Sequence, residues 1–107
     1  MISIDDFKKI ELKVGTILGV DEVDGSDKLY KIQLDLGEEN PRQILSGIKA
    51  WYTKEDLLGK QIIVVANLEP REMMGEISNG MLLASEGDER PILLTPLTQA
   101  PNGAKIK

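Results

Sequence analysis

A chain of 107 residues, 41% of them hydrophobic, has room for a single core and a single domain, 1–107. It contains no cysteine and no histidine, which removes disulfides, thiolate nucleophiles and the side chain most used as general base or zinc ligand near neutral pH. The net charge of −5 argues against a polyanionic partner unless the basic residues are collected in one place.

The charge is unevenly spread. Met1 to Asp27 carries 3 basic and 7 acidic residues (net −4), Lys28 to Arg71 carries 7 and 6 (net +1), and Glu72 to Lys107 carries 3 and 5 (net −2). Folding can therefore gather Lys28, Lys31, Arg42, Lys49, Lys60 and Arg71 on one face, the alternative being a mixed, solvated surface. No run of about 18 apolar residues and no basic-then-apolar leader occurs, so no membrane association is expected and a cytoplasmic location is the default.

Ser3 followed by Asp6 predicts a capped start for a short helix carrying Phe7 and Ile10. Leu12 to Val23, interrupted by Gly15 and Gly19, predicts a long strand bent by a bulge or by close backbone approach. After the Gly25-Ser26-Asp27 turn, Tyr30, Ile32, Leu34 and Leu36 alternate with polar residues, the clearest strand pattern in the chain. Gly37 to Pro41 then reads as a hairpin connection and Arg42 to Ile48 as the returning strand.

Thr53 as N-cap, Asp56 three residues on and Gly59 delimit a helix of one or two turns. Gln61 to Ala66 is a continuous apolar run, as in a strand covered on both faces. Asn67 to Gly80 is polar and glycine-rich. Met81 to Ala84 and Ile92 to Leu94 are the last apolar runs, separated by an acidic turn, and Pro96 to Lys107 is aperiodic. Five principal strands with a helix after the third predict an all-β fold with short helices, a five-stranded oligonucleotide-binding (OB) barrel over about 11–95. The segment 96–107 has no obvious place in it.

No catalytic residue, cofactor or metal ligand emerges. Ser46 and Lys49 match the serine–lysine spacing of acyl-enzymes, but the serine closes a strand instead of opening a helix. Asp21, Asp24 and Asp27 lack the order of acids that a calcium loop needs, since Lys31 stands where its terminal glutamate belongs. The aromatics Phe7, Tyr30, Trp51 and Tyr52 form no row on a strand face on which successive bases would stack. A barrel without such a row can still hold a folded RNA through phosphates, 2′-hydroxyls and a few exposed bases.

The stretch Asn67-Leu68-Glu69-Pro70-Arg71, with Gly75 and then Ser78-Asn79-Gly80-Met81-Leu82-Leu83-Ala84, resembles the tRNA-binding domain appended to methionyl-tRNA synthetase. That family also includes free-standing tRNA-binding proteins and the C-terminal domains of the yeast synthetase cofactor and of the endothelial-monocyte-activating cytokine. Asp6-Phe7, Leu12 to Gly15, Gly25 to Leu29, Leu34 to Gly37, Ser46-Gly47-Ile48 and Tyr52 extend the likeness over nearly the whole chain.

The resemblance implies an OB barrel, shape-specific tRNA binding without catalysis, homodimerisation through the C-terminal extension, and a partnership with methionyl-tRNA synthetase as its domain, subunit or trans-acting relative. Carried over by position, it assigns RNA contacts to Ser78, Asn79, Gly80 and Met81, with Asn67 and Arg71 beside them and Lys28, Lys31, Arg42 and Lys49 on phosphates. Structural alternatives exist: Gly80 supplying a positive φ, Met81 filling core, Asn67 capping a turn. A related branch, an export-associated chaperone on the same barrel, implies a protein-interaction module instead and resembles the chain less around Ser46-Gly47-Ile48 and Asn67 to Met81.

Overall fold

In the computed structural model, which describes Met1 to Lys107, the chain opens on a single helical turn, α1 (Ile4–Phe7). Its cap is reciprocal: the Asp6 amide donates to Ser3 Oγ and the Ser3 amide to the Asp6 carboxylate. Ile10, expected on this helix, lies past its end. The meander follows as β1 (Leu12–Glu22), β2 (Tyr30–Asp35) and β3 (Arg42–Ser46). A second one-turn helix, α2 (Lys54–Leu57), is capped by Thr53 and Asp56 in the same reciprocal way and leads into β4 (Gln61–Val65).

Three short pieces complete the set: the hairpin β5 (Arg71–Met73) and β6 (Glu76–Ser78), the two-residue strand β7 (Met81–Leu82), and the hairpin β8 (Ala84–Glu86) and β9 (Pro91–Leu93). The main sheet is antiparallel in the order β3-β2-β1-β4-β7. It curls into a nearly closed five-stranded barrel of OB type because β1 serves two partners, β4 over Leu12 to Thr16 and β2 over Thr16 to Glu22. The bend falls where the glycines predict it. The register slips between Ile17 and Gly19, leaving Leu18 outside, and a Cβ on Gly15 would stand 2.6 Å from Leu36 Cδ2.

Alternation in β2 puts Tyr30, Ile32 and Leu34 inside with Ile17, Ile44, Leu57 and Ile62, and each such side chain taken from water contributes roughly 1.5–3 kcal/mol. Closure of the barrel relies on side chains as much as on a ladder. The Asn79 amide donates to Gln43 O (2.9 Å), the Leu45 amide to Ser78 Oγ (2.9 Å), and Gln43 Nε2 to Ile77 O (2.9 Å), tying β3 to the β6–β7 segment.

Two segments depart from expectation. The polar stretch 67–80 holds the β5–β6 hairpin, whose two-residue turn Met74-Gly75 has positive φ at both positions (52° and 79°), as the right-handed twist of the flanking strands favours. The C-terminal segment does have a place. The edge of β1 below Thr16, which β2 does not reach, is taken by the chain's own last residues. Val14 donates to Ala104 O (3.0 Å) and Val14 O accepts from Gly103 (2.8 Å), while Ile106 donates to Leu12 O (2.8 Å). This segment also accounts for the glutamine in the apolar run of β4: Gln61, buried, exchanges two hydrogen bonds with the Ala100 backbone (2.7 and 2.9 Å).

Candidate nucleic-acid interface

The turn between β6 and β7 is built from two inward residues and presents two outward ones. Ser78 is buried; its Oγ accepts from the Leu45 amide and donates to Gly80 O (3.0 Å). Gly80 has φ +145°, and a Cβ there would stand 2.9 Å from Val65 O, so no other residue fits without displacing β4. Asn79 bonds through its backbone on both sides, yet its side-chain amide has no partner; Met81 is about half exposed (48%) instead of filling the core.

Beside this turn lies a cleft of about 410 Å³, with an apolar wall of Leu45, Leu68, Met73 and Met81 and with Arg71 and Glu69 at its mouth. Arg71 is exposed and forms no ion pair. A polar groove adjoins it, sharing Leu68 and lined by Asn79, Gln33 and Gln43 together with Arg42 and the carboxylates Glu38 and Glu39. Polarisable thioethers facing a slot, flanked by an unpaired guanidinium and a free amide, suit a flat apolar ring attached to a phosphate.

The remaining residues singled out by sequence are engaged within the protein, with one exception. Asn67 clamps the linker between α1 and β1, accepting from the Glu11 amide (2.9 Å) and donating to Lys9 O (2.7 Å). Arg42 sits in the barrel seam, where Nη1 donates to Ala66 O (2.7 Å) and Asn79 O (2.9 Å) while Nε and Nη2 grip Glu38. Lys31 pairs with Glu76 at 2.9 Å and Lys49 with Glu22 at 2.9 Å. Lys28 is exposed and unpaired.

Thus Arg71, Ser78, Gly80 and Met81 meet at the cleft and Asn79 borders it, whereas Lys28 and Lys49 lie outside its lining. Leu68, Met73 and the carboxylates Glu22, Glu38 and Glu76 carry no assignment from sequence. Leu68 stands inside the motif that carries the resemblance, but nothing in its identity distinguishes a cleft wall from a core position. The lysine of the serine–lysine spacing gives its ammonium to Glu22.

These pairings move the pKa values in opposite directions. Hydrogen bonding to Lys49 lowers Glu22 and bonding to Arg42 lowers Glu38, while the Thr53 amide lowers Asp56; Glu76 raises Lys31 and Glu22 raises Lys49. A carboxylate held below its unfolded value adds stability above that value and loses it as pH falls through the folded one. Stability is therefore expected to decline from about pH 4 downward, near the ordinary carboxylate range, and to be flat around neutrality, where no histidine titrates. Urea midpoints measured from pH 3 to 8 check this, and a midpoint that rises on acidification would refute it.

The model of a family described as a putative tRNA binding domain matches residues 12–105. A methionine–tRNA ligase of Lactiplantibacillus plantarum is 48% identical over 106 residues, and methionine–tRNA ligase 1 of Bacillus cereus is 52% identical over 108. These matches cover 98% and 99% of the chain but only 16% of each relative, so the chain spans about one sixth of the length of the ligases it matches. Among solved structures, a MetRS-related protein from Pyrococcus horikoshii superposes with a TM-score of 0.92 at 31% identity, covering 100% of this chain and 98% of that one. The chaperone CsaA of Bacillus anthracis superposes with a TM-score of 0.89 at 30% identity, covering 100% and 99%.

Proposed function

Since this chain belongs to the family of putative tRNA-binding domains, we propose that it binds tRNA by its folded shape, without catalysis, and assists methionyl-tRNA synthetase in the cytoplasm as its domain, subunit or trans-acting relative. The observation that carries this reading is the cleft at the Ser78–Met81 turn, where Arg71 and Asn79 stand unpaired beside an apolar slot. Contacts made by a rigid turn and a few free polar groups read geometry in preference to sequence. No helix of the chain is long and apolar enough to cross a membrane.

Titrating the protein with whole tRNA, an isolated anticodon stem-loop and single-stranded DNA across a range of salt tests the reading. Whole tRNA should bind tightest, with a negative salt slope. Equal affinity for all three would sink it. In the same assay Glu76→Gln should tighten tRNA binding roughly three-fold by releasing Lys31 to a phosphate and should steepen the salt slope by somewhat less than one. An unchanged affinity would mean that Lys31 does not reach the RNA.

The reading includes a homodimer formed through the C-terminal extension. Leu97 stands fully in solvent at 101% exposure, and Ile4, Phe7, Ile10 and Ile106 line an apolar groove where the two chain ends meet. A dimer would also double a modest basic surface on an acidic protein. Leu97→Glu should give monomers of unaltered fold in sedimentation experiments, and a parent chain that is itself monomeric would refute the dimer.

A protein-interaction role is supported by the same Leu45, Leu68, Met73 and Met81 wall, since methionine-rich clefts accept varied apolar side chains. It requires that unfolded polypeptide compete with tRNA for the cleft.

A further inference from the structure

Lys28 and Lys49 do not line the cleft. They meet elsewhere, the Lys49 amide donating to Lys28 O (3.1 Å), at the start of the loop Ile48 to Thr53. That loop is fastened unusually well for an exposed segment. The amides of Trp51 and Tyr52 both donate to Ile48 O (3.0 and 3.2 Å), Tyr30 Oη donates to Tyr52 O (2.7 Å), and Arg90 Nη2 donates to Trp51 O (3.2 Å). Tyr52 in turn donates its hydroxyl to Pro91 O (2.8 Å), and the Arg90 guanidinium lies over its ring at 4.4 Å.

Every one of these contacts fixes the backbone or Tyr52, and Trp51 as a residue stays 43% exposed. It borders a recess of about 380 Å³ lined also by Lys49, Lys54, Tyr52 and one carboxylate, Glu55. A loop whose backbone is already fixed loses little further freedom when the ring it carries is bound, which favours a contact there. The ammonium groups select the kind of partner. Lys28 is exposed and unpaired, Lys54 forms no ion pair although its charge helps to lower the Glu22 pKa, and Lys49 is held by Glu22. A flat ring flanked by cations fits a base with its phosphates.

We infer that Trp51 is a second RNA contact, a platform on which one unpaired base of the bound RNA stacks while Lys54 takes the adjoining phosphate. This rests on the tRNA-binding reading but uses none of the cleft residues.

Trp51 is the only tryptophan of the chain, so its fluorescence reports the contact directly. Whole tRNA added to the unaltered chain should quench that emission, whereas a blunt RNA duplex should bind without quenching it. Trp51→Ala should weaken tRNA binding by at least about five-fold, and Trp51→Phe should stay within about two-fold of the parent, as stacking energies of single bases imply. The quenching measurement decides the matter even if the alanine variant folds poorly. Tight tRNA binding with unchanged emission, and with Trp51→Ala as tight as the parent, overturns the platform and leaves the cleft reading intact; failure of the unaltered chain to bind tRNA overturns both.

Discussion

Removal of residues 100–107 is expected to destabilise the barrel by at least about 3 kcal/mol, because it leaves the buried Gln61 amide without its Ala100 partners and strips the lower edge of β1. Asn102 goes as well, and with it the bonds that join Thr16 (2.6 Å) to Asp35 (3.1 Å) across the sheet. For a domain of this size such a loss corresponds to a fall in Tm of roughly 15 °C and to a large share of total stability. Thermal melting of the truncated chain checks it. A truncated chain that melts with the parent would show that the tail is merely appended. Deletion is thus a poor probe of the proposed dimer, since it also strips the docked segment from the edge of β1.

Arg42→Met is expected to lower stability by about 2–3 kcal/mol through loss of the seam, discounted for the partial exposure of the Glu38 pair. The guanidinium is planar and spends four of its five N–H groups on two backbone carbonyls and one carboxylate. Arg42→Lys should recover less than half of the loss, because a single ammonium cannot reach both the carbonyls and Glu38. Denaturant midpoints measure the effect. Arg71→Ala offers the contrast: at an exposed, unpaired position it should leave the midpoint alone and weaken tRNA binding. If Arg42→Met instead weakened tRNA binding at unchanged stability, Arg42 would be a phosphate contact and not a seam residue.

These two cases show which parts of the molecule were legible in the chain. Period-two alternation from Tyr30 to Leu36, the capping pairs Ser3/Asp6 and Thr53/Asp56 and the glycines of β1 are local signals, and each produced the element it predicts. The β5–β6 hairpin escaped notice because its strands are three residues long and its turn pairs glycine with a methionine at positive φ, where asparagine or aspartate is usual. The docked tail escaped because its pairing with β1 spans nearly the whole chain and is made by the backbone of Gly103, Ala104 and Ile106, which no periodicity marks.

The candidate site divides in the same way. The Ser78–Met81 turn and Arg71 were recognisable as a motif, and the cleft lies where they meet. Residue type alone could not separate the free Arg71 from the engaged Arg42, or the free Lys28 from Lys31 and Lys49. That distinction depends on Glu38, Glu76 and Glu22, each brought to its partner by folding. Pairing leaves the excess of acid at −5 while it engages Lys31, Arg42 and Lys49, so a polyanion-binding reading rests on the basic groups left free. Phosphate would have to displace a carboxylate at those positions, which favours a ligand that engages the free groups at the same time.

The docking of residues 103–106 on β1 has a consequence for how the domain is produced. Within the domain, β1 emerges from the ribosome well before residues 103–106, which complete half of one of its edges. Until then Val14 and its neighbours offer an open edge to any extended chain nearby. The meander and α2 can assemble before residues 96–107 emerge, yet this edge of the barrel is covered only once they do, so the nascent domain is most exposed to mispairing until that point.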